Sequence, residues 1–188
     1  MGNILRKQIR IKTFSPEQKI PEGVIFPRQT HSTNICEVIS GEEDLSDTDG
    51  IYTSNMSLIL GIKTADCAPI TFIEGDKFGI VHAGWRGLVN GIVKKTIENF
   101  KEPEIYIGPF LFEFEIQKDD CFYIIKRRYG DRYFMERDLK IIFNFYGAVS
   151  EILPDANFDK RNTFLDTNLA SWRRDRSDKK NITIVGVW

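Results

Sequence analysis

Leu58–Phe100 constrains this chain most, because it sets three strand-length apolar runs and a helix-period segment around the few residues able to do chemistry. Leu58–Ile62 and Ile70–Ile73 flank a turn carrying Asp66, Cys67 and Pro69, and Phe78–Val81 runs directly into His82. Cys67 and His82 are therefore expected at strand ends. Past His82, Gly84, Trp85, Arg86 and Gly87 lead into a segment whose positions Val89, Ile92, Val93, Thr96, Ile97 and Phe100 recur at three- and four-residue steps, the period of a helix. A thiol, an imidazole and a guanidinium are thus predicted near one helix N-terminus. Unpaired first-turn amides and the positive dipole end favour an anion or a thiolate there.

The flanking sequence predicts mostly short strands. Ile4–Thr13 alternates apolar and basic residues as an edge strand does. Val24–Phe26, Ile35–Ile39, Glu104–Ile107 and Ile182–Val187 also read as strands, and Ser15–Gly23 as loop. Gly41–Asp49 is acidic and turn-rich, the pattern of a solvated loop. Leu139–Phe145, apolar on more than one side, predicts a buried helix, and Asp166–Asp175 a helix capped by Asp166 or Thr167. Lys126–Arg137 mixes arginines and aromatics with Asp131, Glu136 and Asp138, which fits a solvated helix surface better than a nucleic-acid face. Alternating strands and helices with isolated hairpin-like strands favour a mixed-sheet α/β or α+β domain, and the length of 188 residues fits one unit, 1–188.

Charge and cysteine usage narrow the function classes. Twenty-six basic and 27 acidic side chains nearly balance, so no overall field draws the chain to nucleic acid or an anionic membrane. Three cysteines at Cys36, Cys67 and Cys121 cannot all pair, which fits a reducing compartment. No N-terminal apolar stretch follows the basic start and no apolar run approaches spanning length, so the cytoplasm is the expected location.

The chain contains two histidines, His31 and His82, both in strand-end loops. With Cys67 they make the ligand set of a catalytic zinc site that leaves a fourth position open. The same atoms support a second arrangement, Cys67 as nucleophile and His82 as its base without metal. A thiolate bound to zinc is a poor nucleophile, so the two exclude one another in a single state. Asp66 is a candidate for orienting an imidazole or moving a proton, or simply a turn residue. Arg86 suits phosphate through its planar fork of donors, while Arg28, Gln29 and Thr64 are further candidates for orienting a substrate. Gly84 and Gly87 suggest close backbone approach, and Trp85 either a packing anchor or a stacking wall. Cys36 and Cys121 read as structural.

TADCAPI (Thr64–Ile70), HAGWRGL (His82–Leu88) with GIVKKTI behind it, RQTHS (Arg28–Ser32), and IGP (Ile107–Pro109) followed by FEI (Phe114–Ile116) together resemble the YfiH/YlmD-like laccase-domain family. That family is variously called purine nucleoside phosphorylase or polyphenol oxidase and includes the peptidoglycan editing factor. The resemblance is dense from about Pro27 to Ile116 and thinner at Phe164–Asp175. It implies an α+β fold shared with cytotoxic necrotising factor catalytic domains, with mixed β-sheets packed between helices. It also implies zinc, rather than copper, held by His31, Cys67 and His82. The implied activity is phosphorolysis of adenosine, inosine and methylthioadenosine by a monomer or homodimer, with adenosine deamination as a second reaction. Three departures stand out. The region before His31 is short for the family, and Phe110–Phe112 replaces the second glycine of the Ile-Gly-Pro-x-Ile-Gly element. Relatives continue past the position of Trp188 through an arginine-rich tail, so phosphate or base binding is expected to be weakened or supplied by other arginines.

Counting histidines tests the oxidase name. A type 1 copper and a histidine-rich trinuclear cluster need more than two, so a multicopper mechanism is excluded for the monomer. The H-x-E and P-C-x-x-C motifs of cytidine-type deaminases are also missing from the sequence. Two other functions fit the same residues: a cytoplasmic amidohydrolase that edits a peptidoglycan precursor with Cys67 and His82, and a catalytically silent interaction module.

Overall fold

The computed structural model describes residues 8–188. Its strands are β1 Arg10–Phe14, β2 Val24–Ile25, β3 Ile35–Glu37, β4 Gly50–Thr53, β5 Ile59–Thr64, β6 Ala68–Glu74, β7 Lys77–Ala83, β8 Glu104–Ile107, β9 Glu113–Ile116, β10 Phe134–Arg137, β11 Lys140–Asn144, β12 Asn157–Phe158 and β13 Asn181–Gly186. Five short helices join them: α1 Trp85–Val89, α2 Ile92–Ile97, α3 Asp120–Tyr129, α4 Phe145–Ile152 and α5 Trp172–Asp175. The strands form a six-stranded sheet (β12-β8-β6-β7-β4-β3), a four-stranded sheet (β1-β13-β5-β2) and a three-stranded sheet (β10-β11-β9). Parallel pairs β12–β8, β3–β4 and β2–β5 sit among antiparallel ones in the two larger sheets, which are therefore mixed, while the three-stranded sheet is antiparallel throughout, and the class is α+β. No helix among the described residues is long and apolar enough to cross a membrane.

The centre is the β6–β7 hairpin, paired from Ala68↔Ala83 to Glu74↔Lys77. Both strands are buried on two faces, which explains their near-continuous apolar runs. Ile70, Phe72 and Val81 join the larger core with Leu88, Ile92 and Val93 of the helices and Phe110, Phe143 and Phe145. Phe78 and Ile80 point the other way, into a smaller core with Leu60, Ile62 and Val185 of the four-stranded sheet. The two-residue period of a strand puts His82 on the face of Phe78 and Ile80, just past that core. The hairpin thus delivers His82, and Cys67 immediately before β6, to the same end of the junction between two sheets.

Three sequence expectations are corrected. The helix after His82 is two helices, because Gly91 adopts a left-handed φ of 84° and breaks the run between α1 and α2. Leu139–Phe145 is not a buried helix. Asp138 and Leu139 take positive φ values of 51° and 64°, turning β10 into β11, which then pairs with β9 on its other edge. Leu139 itself is fully exposed, and the β-branched pair Ile141 and Ile142 suits the pleated surface. The helix expected over Asp166–Asp175 shrinks to α5, capped by Ser171, whose side chain accepts from the Arg174 amide. Asp166 instead accepts from the Asn168 amide, a local turn that competes with helix. Part of the expected strand Ile4–Thr13 lies outside the described residues; from Arg10 onward it is the sheet-edge strand β1.

Candidate metal centre and its cavity

His82 is buried, and its Nδ1 lies 2.6 Å from Oδ1 of Asp49, which has no exposed surface. Asp49 also accepts from the backbone amides of Thr30 (3.0 Å), His31 (3.1 Å) and Ser32 (2.7 Å) and from the Ser32 hydroxyl (3.0 Å). One carboxylate therefore orients one imidazole directly and folds the loop that carries the other. His31 sits at the apex of that loop with φ 64°, a left-handed conformation uncommon for residues with a Cβ, stabilised by these amide bonds. The solvated reading of Gly41–Asp49 fails at its last residues, since Thr48 and Asp49 are buried. The signal available in sequence was position: Asp49 directly precedes Gly50-Ile51-Tyr52, the strand that pairs with β7.

Cys67, His31 and His82 converge. The Cys67 sulfur is 3.9 Å from Nε2 of His31, and one donor atom from each residue lies within 4.8 Å of the others. The two rings meet edge to face, with centroids 4.6 Å apart. Donors around a tetrahedral zinc ion stand about 3.3–3.8 Å apart, so small side-chain adjustments bring this set into range. Gly84 makes the approach possible: a Cβ there would lie 3.0 Å from the Cys67 sulfur and 3.0 Å from Cδ2 of His31. The residues present thus fit a divalent metal, with one nitrogen of His82 reserved for Asp49 and the other left for the centre.

The electrostatics agree. Burial pushes the Cys67 thiol up, but hydrogen bonds from His31 and His82 outweigh it and bring its pKa to about 6. Burial would lower His82, yet the Asp49 carboxylate and Cys67 raise it to about 9. Asp49 is opposed by burial and held well below the usual carboxylate range by His82 and the loop amides. These shifts favour thiolate, imidazolium and carboxylate near neutral pH in the metal-free protein.

The cluster opens into a cavity of about 600 Å³. Trp85, Phe114, Phe145 and Trp172 supply flat apolar walls. Lys63, Arg86, Arg173 and Lys180 supply cations, and among the described residues the one carboxylate lining it is Asp66. Asp66, at φ 90°, accepts from the Thr163 hydroxyl and from the Arg173 amide, both at 2.8 Å, so each oxygen is engaged. It ties the late segment to the loop that carries Cys67. Gln29 lines the cavity, and its amide forms two 2.8 Å bonds with the Lys63 backbone, clamping the His31 loop to β5. Arg86 also lines it, with its guanidinium 4.7 Å from the Trp85 ring. Two other candidates stand elsewhere: Arg28 is exposed outside the lining, and Thr64 is buried beneath it with an unpaired hydroxyl. Sequence reasoning missed Asp49, Arg173, Lys63 and Lys180.

Comparison with known proteins places this geometry. A purine nucleoside phosphorylase of Aquifex aeolicus is 28% identical over the whole of this chain and 90% of its own length. One from Haemophilus influenzae is 31% identical over 58% of this chain, which spans only 48% of that relative. The crystal structure of a hypothetical protein YfiH from Bacillus licheniformis, 22% identical, matches with a TM-score of 0.76 over 88% of this chain and 74% of its own. Residues 8–179 match the profile described as multi-copper polyphenol oxidoreductase laccase, and the chain belongs to that family.

Proposed function

We propose that this chain is a purine nucleoside phosphorylase dependent on zinc, acting in the cytoplasm on adenosine, inosine and methylthioadenosine, with adenosine deamination as a secondary reaction. The observation that carries this reading is the convergence of His31, Cys67 and His82 beside a cavity lined by aromatic walls and by cations. The names borne by relatives supply the reaction class. In phosphorolysis the C1′–N9 bond breaks, a phosphate oxygen bonds to C1′, and the leaving base takes a proton.

His31, Cys67 and His82 would hold the zinc, with Asp49 keeping the free nitrogen of His82 directed at it. Zinc so bound supplies Lewis acidity beside the reacting groups. Trp85, Phe114 and Trp172 offer faces for the flat purine, and the cavity cations attract the anionic co-substrate. Asp66 keeps the cavity wall in place with both oxygens engaged, which leaves proton delivery to water. Assaying release of free base and pentose 1-phosphate from inosine and adenosine tests the proposal. Cys67→Ala and His82→Ala should abolish phosphate-dependent turnover, whereas unchanged product formation in both removes the mechanism.

One observation favours a second reading. A thiolate beside an imidazolium that is itself held by a carboxylate is the resting state of a cysteine nucleophile. In that case the chain is an amidohydrolase that removes a wrongly added serine from a nucleotide-linked muropeptide. Zinc added to metal-free protein separates the two, because it activates the phosphorylase and blocks the thiol.

A further inference from the structure

Among the described residues four cations line the cavity, and they differ in what already satisfies them. Arg86 is exposed and laid over Trp85, where water screens it. The helix in whose first turn it lies has five residues, too short to build up much dipole. Arg173 is half-buried, with its guanidinium 4.2 Å from the Phe114 ring and one long 3.2 Å bond from Nη1 to the Glu115 carbonyl. Among the described residues it forms no ion pair with a carboxylate, although its neighbour Arg174 pairs with Asp175. Lys63 and Lys180 line the same cavity and likewise form none. Their positions bring them together: Thr64 pairs with Asn181 at one end of β5 and β13, and Lys63 and Lys180 each directly precede one member of that pair.

We infer that Arg173, with Lys63 and Lys180, forms an oxyanion subsite in the wall of the cavity that holds His31, Cys67 and His82. The Arg173 amide is bonded to Asp66, the residue before Cys67, which fixes the backbone of the arginine beside the cluster. Stacking on Phe114 pre-sets the plane of the guanidinium, so a phosphate or carboxylate meets donors already ordered. Burial lowers the Arg173 pKa first of all causes, with Asp66 acting in the opposite direction, and the charge of an incoming anion would offset the cost of that burial. The ligand class is a compact oxyanion. In the phosphorylase reading, on which only the identity of the anion rests, it is inorganic phosphate; otherwise it is a phosphate carried by the organic substrate.

Calorimetric titration of the full chain with inorganic phosphate, and separately with AMP, tests this. Arg173→Met should weaken binding about tenfold or more and Arg173→Lys less, while Arg127→Gln on exposed α3 should match wild type. Lys63→Met with Lys180→Met gives an independent second variant, expected to weaken the same titration. Phosphate KM should rise in Arg173→Met while nucleoside KM stays unchanged. Binding of AMP but not free phosphate, still dependent on Arg173, keeps the subsite and assigns the anion to the organic substrate. Arg173-dependent phosphate binding without phosphorolysis keeps the subsite and removes the phosphorylase reading. Phosphorolysis with a phosphate KM indifferent to Arg173→Met, or no anion binding by wild type, overturns the subsite.

Discussion

Asp49 shows how much one buried carboxylate can determine. Its Oδ1 takes the His82 ring and the His31 amide, and its Oδ2 takes two more loop amides. In Asp49→Asn an amide group must face N–H donors whichever way it turns, and toward His82 it forces Nδ1 to accept and Nε2 to carry the proton. Metal affinity is then expected to fall about 10–100-fold, measured by chelator competition. Nitrogen-15 spectra of the metal-free variant near pH 7.5 should show His82 neutral and protonated on Nε2, where wild type is doubly protonated. Wild-type affinity and spectra in the variant would rule this role out. Gly84→Ala probes the same centre from the backbone side: a Cβ 3.0 Å from the Cys67 sulfur must displace it or the His31 ring. Its metal affinity should drop by about tenfold or more with little change in melting temperature, since the crowding falls on the ligands and not on the core. His31, Cys67 and His82 were legible because reactive residue types are rare in this chain and each sits at a strand end or in a polar loop between strands. Asp49 was not, because an aspartate in an acidic turn-rich run looks the same whether solvated or buried; only the fold of the loop onto β7 separates the cases.

At the scale of elements, short polar anchors do what long helices do elsewhere. Asn181 in β13 is fully buried and bonds both ways with Ala170, accepting from its amide at 2.8 Å and donating to its carbonyl at 2.9 Å. This clip holds the segment leading to Trp172 and Arg173 against the sheet. Asn181→Ala leaves two buried backbone groups unpaired, and urea unfolding should show a loss of about 2–4 kcal/mol. Glu43 does similar work in the loop before β4, accepting from the amides of Ile39 (2.9 Å), Ser40 (2.8 Å) and Gly41 (2.9 Å). These backbone bonds lower its pKa from 4.5 to about 2. A depressed carboxylate stabilises the fold above its unfolded pKa, so this contribution is complete above about pH 5 and is lost on acidification toward pH 2. The urea midpoints of wild type and Glu43→Gln should therefore differ at pH 7 and draw together by pH 3; an unchanged gap would show that the loop is held by other contacts. The strands β5 to β8 were readable from apolar runs bounded by turn residues. Leu139–Phe145 and Asp166–Asp175 were not, because a short apolar run has no period of its own and a helix cap resembles an isolated turn. In both places long-range partners decided, β9 for the first and Asn181 for the second.

For the molecule as a whole, the candidate centre lies where separately stabilised parts meet. Cys67 and His82 belong to the hairpin of the six-stranded sheet, whereas His31 rides on a loop held on one side by Asp49, just before β4, and clamped on the other to β5 of the four-stranded sheet by Gln29. The smaller core between these sheets rests on only a few fully buried side chains, among them Leu60, Ile62, Phe78 and Ile80. A metal coordinated by all three residues would therefore cross-link the two sheets as well as serve the chemistry. Ligand binding to the native state adds RT ln(1 + [L]/Kd), about 2.7 kcal/mol at a free concentration one hundred times Kd. For a domain of this size that corresponds to a rise in melting temperature of roughly 5–10 °C. His31→Ala should abolish most of that rise while leaving the metal-free melting temperature near wild type, because its side chain is exposed and outside both cores. Hydrogen exchange should place the metal-dependent protection in the His31 loop, in β5 and at the Cys67–His82 end of the hairpin. Protection confined to the hairpin would mean that the loop histidine is not a ligand and that the two sheets are not joined through the site.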